Sequence, residues 1–184
     1  MNRAAGAVRV RVWDPLVRIA HWSLIGSIVV AWFTRHGGGA VHEWAGYLTI
    51  AVVSIRVVWG FVGPRHARFT HFVRPPAATS EYAALVYLGR EPRYLGHNPL
   101  GGWMIVALLA TALAAAGSGW LYVTDRFWGL EWVEELHIGL SNLLFGLAGL
   151  HVAGVVVASW RHRENLAWAM VRGNKREAGS VDID

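Results

Sequence analysis

The sequence predicts an all-α membrane protein. It is expected to be a bundle of four transmembrane helices, with both termini cytoplasmic and short interfacial helices. Three observations carry this reading. Of 184 residues, 54% are hydrophobic and only 16% are charged, against roughly 25% charged in an average soluble domain. Four stretches come close to the ~20 apolar residues that a spanning helix needs. The basic residues are also sorted strongly to one side of those stretches.

The first span is expected from about Leu16 to Thr34, after the breaker pair Asp14-Pro15. It is too long for a signal-peptide core, and no Ala-x-Ala site closes it. The second runs from about His42 to Val62 and stops at Gly63-Pro64. The segment from about Thr79 to Leu88 reads as a short helix on the membrane surface. The third span runs from about Trp103 to Thr124, after Asn98-Pro99 and Gly101-Gly102, and is rich in small residues. Small faces let membrane helices approach closely and leave room for a bulky group. The fourth runs from about Glu135 to Trp160. A second surface helix follows from about Glu164 to Val171, offering Leu166, Trp168, Met170 and Val171 to the membrane. Residues 1–176 form one integral membrane domain, and 177–184 are expected to be a flexible C-terminal tail. Trp13, Trp22, Trp32, Trp44, Trp59, Trp103, Trp120 and Trp160 fall near span ends, as an interfacial belt does.

Orientation follows from charge. Arg3, Arg9, Arg11 and Arg18 precede or open the first span. Arg56, Arg65, Arg68, Arg74, Arg90 and Arg93 lie around the loop after the second. Arg161, Arg163, Arg172, Lys175 and Arg176 follow the fourth. Only Arg35 and Arg126 fall on the other side. The positive-inside rule places both termini in the cytoplasm. A bacterial cytoplasmic (inner) membrane is the expected location. The net charge of +5 is thus a topology signal that suits anionic lipid headgroups, not nucleic acid. The absence of cysteine excludes disulfides, thiolate catalysis, cysteine-held iron–sulfur clusters and covalently attached c-type haem.

Ionisable groups inside spans are costly and mark function. The span interiors carry no Asp or Glu; their ionisable groups are His21, His42, Arg56, His137 and His151. That disfavours a proton pump, which relays through buried carboxylates. His137 and His151 are fourteen residues apart, which returns to within about 40° of the same helix face at a rise of ~21 Å. Two ligands on one face at two depths suggest two stacked sites. His21 matches His151 in depth near the cytoplasmic end, and His42 matches His137 near the outer end. Imidazoles paired across a helix bundle are the axial ligands of six-coordinate haem b. Gly46, Gly139, Gly146, Gly149 and Gly154 offer room for the macrocycle. Arg56, fourteen residues after His42, shares its face and lies at the depth of the other site. There it is placed to pair with a haem propionate, since Arg binds carboxylates bidentately. Snorkelling to the interface is the competing reading.

At these residues the chain resembles the prokaryotic cytochrome b561 family and the related b-type cytochrome subunits of membrane-bound nickel–iron hydrogenases. The carriers are Trp13-Asp-Pro-Leu-Val-Arg-Ile-Ala-His-Trp22, His42-Glu-Trp-Ala-Gly-Tyr47 and Arg56-Val-Val-Trp-Gly-Phe-Val-Gly63. Arg93-Tyr-Leu-Gly-His-Asn-Pro99, His137 and His151 complete the set. The resemblance covers about residues 10 to 176. It implies a four-helix membrane cytochrome with two non-covalently bound haems b, ligated at His21, His42, His137 and His151. It also implies electron exchange with quinone.

The expected function is electron transfer between the quinone/quinol pool of a respiratory chain and a redox partner across the membrane. His97, Asn98 and Arg56 inside, or Glu43 and Glu135 outside, are candidate polar groups for quinone. His97 could touch a haem propionate as well as a quinone headgroup, but it reads more readily as an interfacial cap or turn residue before Asn98-Pro99. One alternative is an anchor subunit for a dehydrogenase or hydrogenase, with a second cytochrome or dehydrogenase docking on the acidic outer loop Asp125 to Glu135, which carries Trp128 and Trp132. Another, of a different class, is a haem-free scaffold or transporter, including a metal transporter that uses the histidines. Gly37-Gly38-Gly39 is a loop, without the Lys-Ser/Thr of a phosphate cradle.

Overall fold

The computed structural model describes residues 9–37, 39–180 and 182–184. Arg3 and Gly38, used above, lie outside them. Four long apolar helices form the body: α1 Pro15–Thr34, α2 Gly39–Val62, α5 Pro99–Tyr122 and α6 Glu131–Arg161. Their mean hydropathy reaches 1.6 to 1.9 over 18-residue windows. Between α2 and α5 lie a 3-10 turn at Arg65–Ala67, α3 Phe69–Phe72 and α4 Pro76–Tyr87. After α6 come α7 Leu166–Arg172 and a strand, β2 Asn174–Arg176. That strand pairs antiparallel with β1 Arg9–Arg11. This pairing places both described ends of the chain at one end of the bundle, here the termini end. The opposite end carries the α1–α2 and α5–α6 connections and is the loop end.

Capping explains where the helices start. Asp14 Oδ1 accepts from the backbone N–H of Leu16 and Val17 at 2.9 and 3.1 Å, with Pro15 at the first helical position. Asn98 does the same for α5, accepting from Gly101 N–H at 2.7 Å. The cap starts α5 at Pro99, ahead of the expected Trp103. α6 starts at Glu131, also early, because Glu131 and Glu134 in its first turn complement the positive end of the helix dipole. Asn165 caps α7 through Trp168 N–H at 2.8 Å. That moves its start two residues past the expected Glu164.

Close backbone approach links α1 to α2, α2 to α5 and α5 to α6. α1 and α6 are bridged instead by side chains, with Trp32 stacked on Phe145 at 4.2 Å and 10°. A core of Val53, Leu109, Ala112 and Leu144 joins α2, α5 and α6. A buried hydroxyl pair, Ser27 and Thr49 at 2.9 Å, joins α1 to α2. Only 6% of the most apolar window of α6 is buried, against 28% for α2 and for α5. Most of α6 therefore faces lipid or the gap beside α1. The glycines expected to border a macrocycle divide. At Gly46, Gly139, Gly146, Gly149 and Gly154 an added Cβ would meet nothing within 4 Å. Helix geometry puts Gly139 and Gly146 about 160–180° from His137, on the far side of α6 from the paired histidines.

The termini end is tied by a buried ionic network that no local pattern announces. Arg93 reaches both carboxylate oxygens of Glu164 at 3.1 Å, the Arg176 carbonyl at 2.7 Å, and Asp182. Lys175 donates to the carbonyls of Tyr94 and Leu95 at 3.1 and 2.9 Å. Residues 177–184, expected as a free tail, contribute here. Ile183 bridges to the backbone of Arg93 and Leu95, and Asp184 pairs with Arg65 at 2.9 Å. Gly173 closes α7 in the left-handed region (φ 85°). Its carbonyl accepts from Val12 and Trp13 N–H.

Candidate haem sites

His42 stands in the first turns of α2 and His137 in the first turns of α6, so both are at the loop end. Their rings face each other with centroids 5.9 Å apart and planes at 86°. A metal–imidazole bond is about 2 Å. Two axial imidazoles sharing one metal therefore place their ring centres about 6 Å apart. The Nδ1 of His42 lies 2.9 Å from the Ala31 carbonyl of α1. The Nδ1 of His137 lies 2.9 Å from the Ala115 carbonyl of α5 and 3.3 Å from the Ser118 hydroxyl. Such bonds fix ring orientation and leave Nε2 for a metal. Gly119 on α5 makes room for this ring. A Cβ there would sit 2.9 Å from His137 Cε1. The Gly-Ser-Gly run at 117–119 was legible as small, but not as a seat for His137.

His21 on α1 and His151 on α6, the second pair expected from the sequence, lie nearer the termini end. They lie within electrostatic reach of each other, and both rings are half-buried. The Nδ1 of His21 is sealed from solvent and has no hydrogen-bond partner among the described residues. Arg56 projects from α2 onto an aromatic wall, its guanidinium 5.4 Å from the Phe69 ring and 6.0 Å from the Phe72 ring. It is 5% exposed, and its Nη1 is also sealed and has no hydrogen-bond partner among the described residues. Arg56 therefore does not snorkel. A buried guanidinium with an unmade bond leaves a substantial cost, which an anionic group at this spot would relieve.

The structure adds His97 to this end. Its ring packs on Trp13 at 4.5 Å and on Phe72 at 4.9 Å. Burial, with Arg56, Lys175 and His151 nearby, pushes its imidazole well below the ordinary value. Burial likewise pulls the Lys175 ammonium down to about 8. Glu43 and Glu135 at the loop end are exposed.

Among the described residues no three His, Asp or Glu side chains gather around one point. Each histidine pair offers two ligands, too few for a bare metal ion and the number an iron needs when a macrocycle supplies four. A family model for the prokaryotic cytochrome b561 matches residues 12–173. The chain belongs to that family. This cytochrome is a multi-pass membrane protein of electron transfer whose cofactor is haem b. A relative from Bradyrhizobium diazoefficiens, named as a Probable Ni/Fe-hydrogenase B-type cytochrome subunit, is 25% identical over 95% of this chain and 89% of its own length. Relatives of the same name from Azotobacter vinelandii and Azotobacter chroococcum are 28% and 30% identical. They cover 89% and 69% of this chain and 87% and 68% of their own lengths. No solved structure matches the chain significantly.

Proposed function

We infer that this cytochrome holds two haems b, one between His42 and His137 and one between His21 and His151, and passes electrons between them. The observation that supports this most is the loop-end pair. Its rings face at 5.9 Å, with each Nδ1 turned to a neighbouring carbonyl. Bound haem supplies a one-electron iron couple. The residues supply ligation, orientation and exclusion of water. Arg56 neutralises a propionate of the termini-end haem, which its unmade bond favours. The sites sit ~21 Å apart along α6 by helix rise, with Trp32 and Phe145 stacked across the α1–α6 gap.

The excess of arginine around the termini end favours the cytoplasmic side for that end and a bacterial inner membrane for the protein. Quinone or quinol is the lipid-soluble partner that fits a carrier embedded in a bilayer. The relatives' printed names favour a hydrogenase, or a comparable dehydrogenase, as the soluble partner. Trp128 and Trp132 on the loop end are 70% and 54% exposed, beside Glu131, Glu134 and Glu135. They suit an anchoring role for such a partner.

The test is the absorption spectrum of detergent-purified protein, oxidised and then reduced with dithionite, with a haem-to-protein ratio. Two low-spin haems per chain are expected. One haem would reduce one pair to a structural role, and none would end the dihaem reading.

A further inference from the structure

The orphaned nitrogens at the termini end are not confined to Arg56. His97 Nδ1 is sealed from solvent and has no hydrogen-bond partner among the described residues. Arg56 and His97 both rest on Phe72, which is 1% exposed. Two unsatisfied polar groups thus share one aromatic wall, beside His151. A lone orphan is costly, and two on one wall call for a shared partner. A carboxylate has two oxygens and takes two donors.

His97 is not held by its own loop alone. Trp13, from the segment after β1, covers one side of its ring. Lys175, from β2, donates to the carbonyls of Tyr94 and Leu95, three and two residues before His97. Lys175 is 5% exposed, and its ammonium lies 5.9 Å from the Trp13 ring. Lys175 of β2 and the Trp13 segment after β1 therefore grip the His97 loop together.

We propose that His97 is a second anchoring donor, beside Arg56, for a propionate of the haem at the His21–His151 pair, and that Lys175 positions it there. This rests on the dihaem reading above and deepens it. His97 Nδ1–H donates to the carboxylate. Lys175 acts through the Tyr94–Leu95 backbone and adds a positive charge behind the ring. Among the described residues the loop-end pair has no cation as a hydrogen-bond partner: its partners are the carbonyls of Ala31 and Ala115 and the hydroxyl of Ser118.

The experiment is redox potentiometry with haem quantification on the purified full-length chain. It compares wild type with His97→Ala, His97→Asn, Lys175→Met and Lys175→Arg, and assigns the haems with His42→Ala. A hydrogen bond to a charged group is worth a factor of roughly ten or more. His97→Ala should therefore lose the termini-end haem about ten-fold faster. The haem that remains bound there should titrate at a lower potential, because its propionate charge is less compensated. The loop-end haem should keep its potential. His97→Asn, which retains an N–H, should recover most of the effect. Lys175→Met should shift the same haem in the same direction by less, and Lys175→Arg should restore it. Unchanged potential and retention in His97→Ala would overturn the proposal. So would equal changes in both haems, which would indicate loosened packing alone. A wild-type chain without two haems would overturn the dihaem reading and this proposal with it.

Discussion

At the loop end, helix backbone aims the histidines. The carbonyls of Ala31 and Ala115 orient His42 and His137, and Gly119 gives one ring its space. At the termini end, the supports are side chains and long-range tertiary contacts. Arg56 and His97 stand on an aromatic wall, and a buried ionic network holds the surrounding loop. The first arrangement uses fixed dipoles and packing. The second uses charge, and it depends on segments far apart in sequence. A small change at Gly119, near the loop end of α5, should therefore injure only that end. A change in the ribbon or in Arg93 should injure only the termini end.

The largest effect expected is from ligand removal. His137→Ala and His151→Ala should each abolish about half of the bound haem, from opposite ends. A haem-to-protein ratio that falls equally to zero in both would break the comparison. Arg93→Met comes next, because it strands Asp182 without its cation and leaves Glu164 only the longer pair with Lys175. Such losses cost about 3–5 kcal/mol. The thermal midpoint in detergent should drop while the loop-end haem spectrum stays as in wild type. Gly119→Val should cost less, about 1–3 kcal/mol of overpacking. It should perturb only the loop-end haem, read as a changed low-spin spectrum or partial loss of that haem. The smallest effect concerns Lys175. Its pKa in the fold is about 8, against an ordinary 10.5, so the unfolded chain binds more protons between those values. Stability therefore rises with pH across that window. The thermal midpoint of wild type relative to Lys175→Met should climb between about pH 8 and pH 10; a flat difference would mean that Lys175 is not buried as a cation.

The contrast between the ends also governs what the sequence could disclose. The spans were legible because apolar length and breaker pairs are local. The expected histidine pairing came from helix periodicity together with the direction of each span, which sets depth. The structure brings His42 and His137 together as expected, and His21 and His151 into each other's reach. The termini-end supports were hidden. Arg9–Arg11 and Asn174–Arg176 carry no apolar alternation that would mark strands, and their pairing joins segments more than 160 residues apart. His97 read as a turn residue because Asn98-Pro99 dominates its neighbourhood. Its ring acquires meaning only when Phe72 and Trp13 close over it. Gly119 gave a signal of smallness but none of direction, since the ring it accommodates comes from another helix.

The ribbon has a consequence for how the protein is made. β1 leaves the ribosome before the four spans and β2 after them. The N-terminal strand therefore waits, unpaired, while all four spans are synthesised and inserted. The His97 loop lacks the grip of Lys175 until β2 arrives. The loop-end pair is complete as soon as the first turns of α6 have entered the membrane. Biogenesis thus has a built-in order: the loop-end histidines can meet before β2 is made, and the termini end is tied only after it.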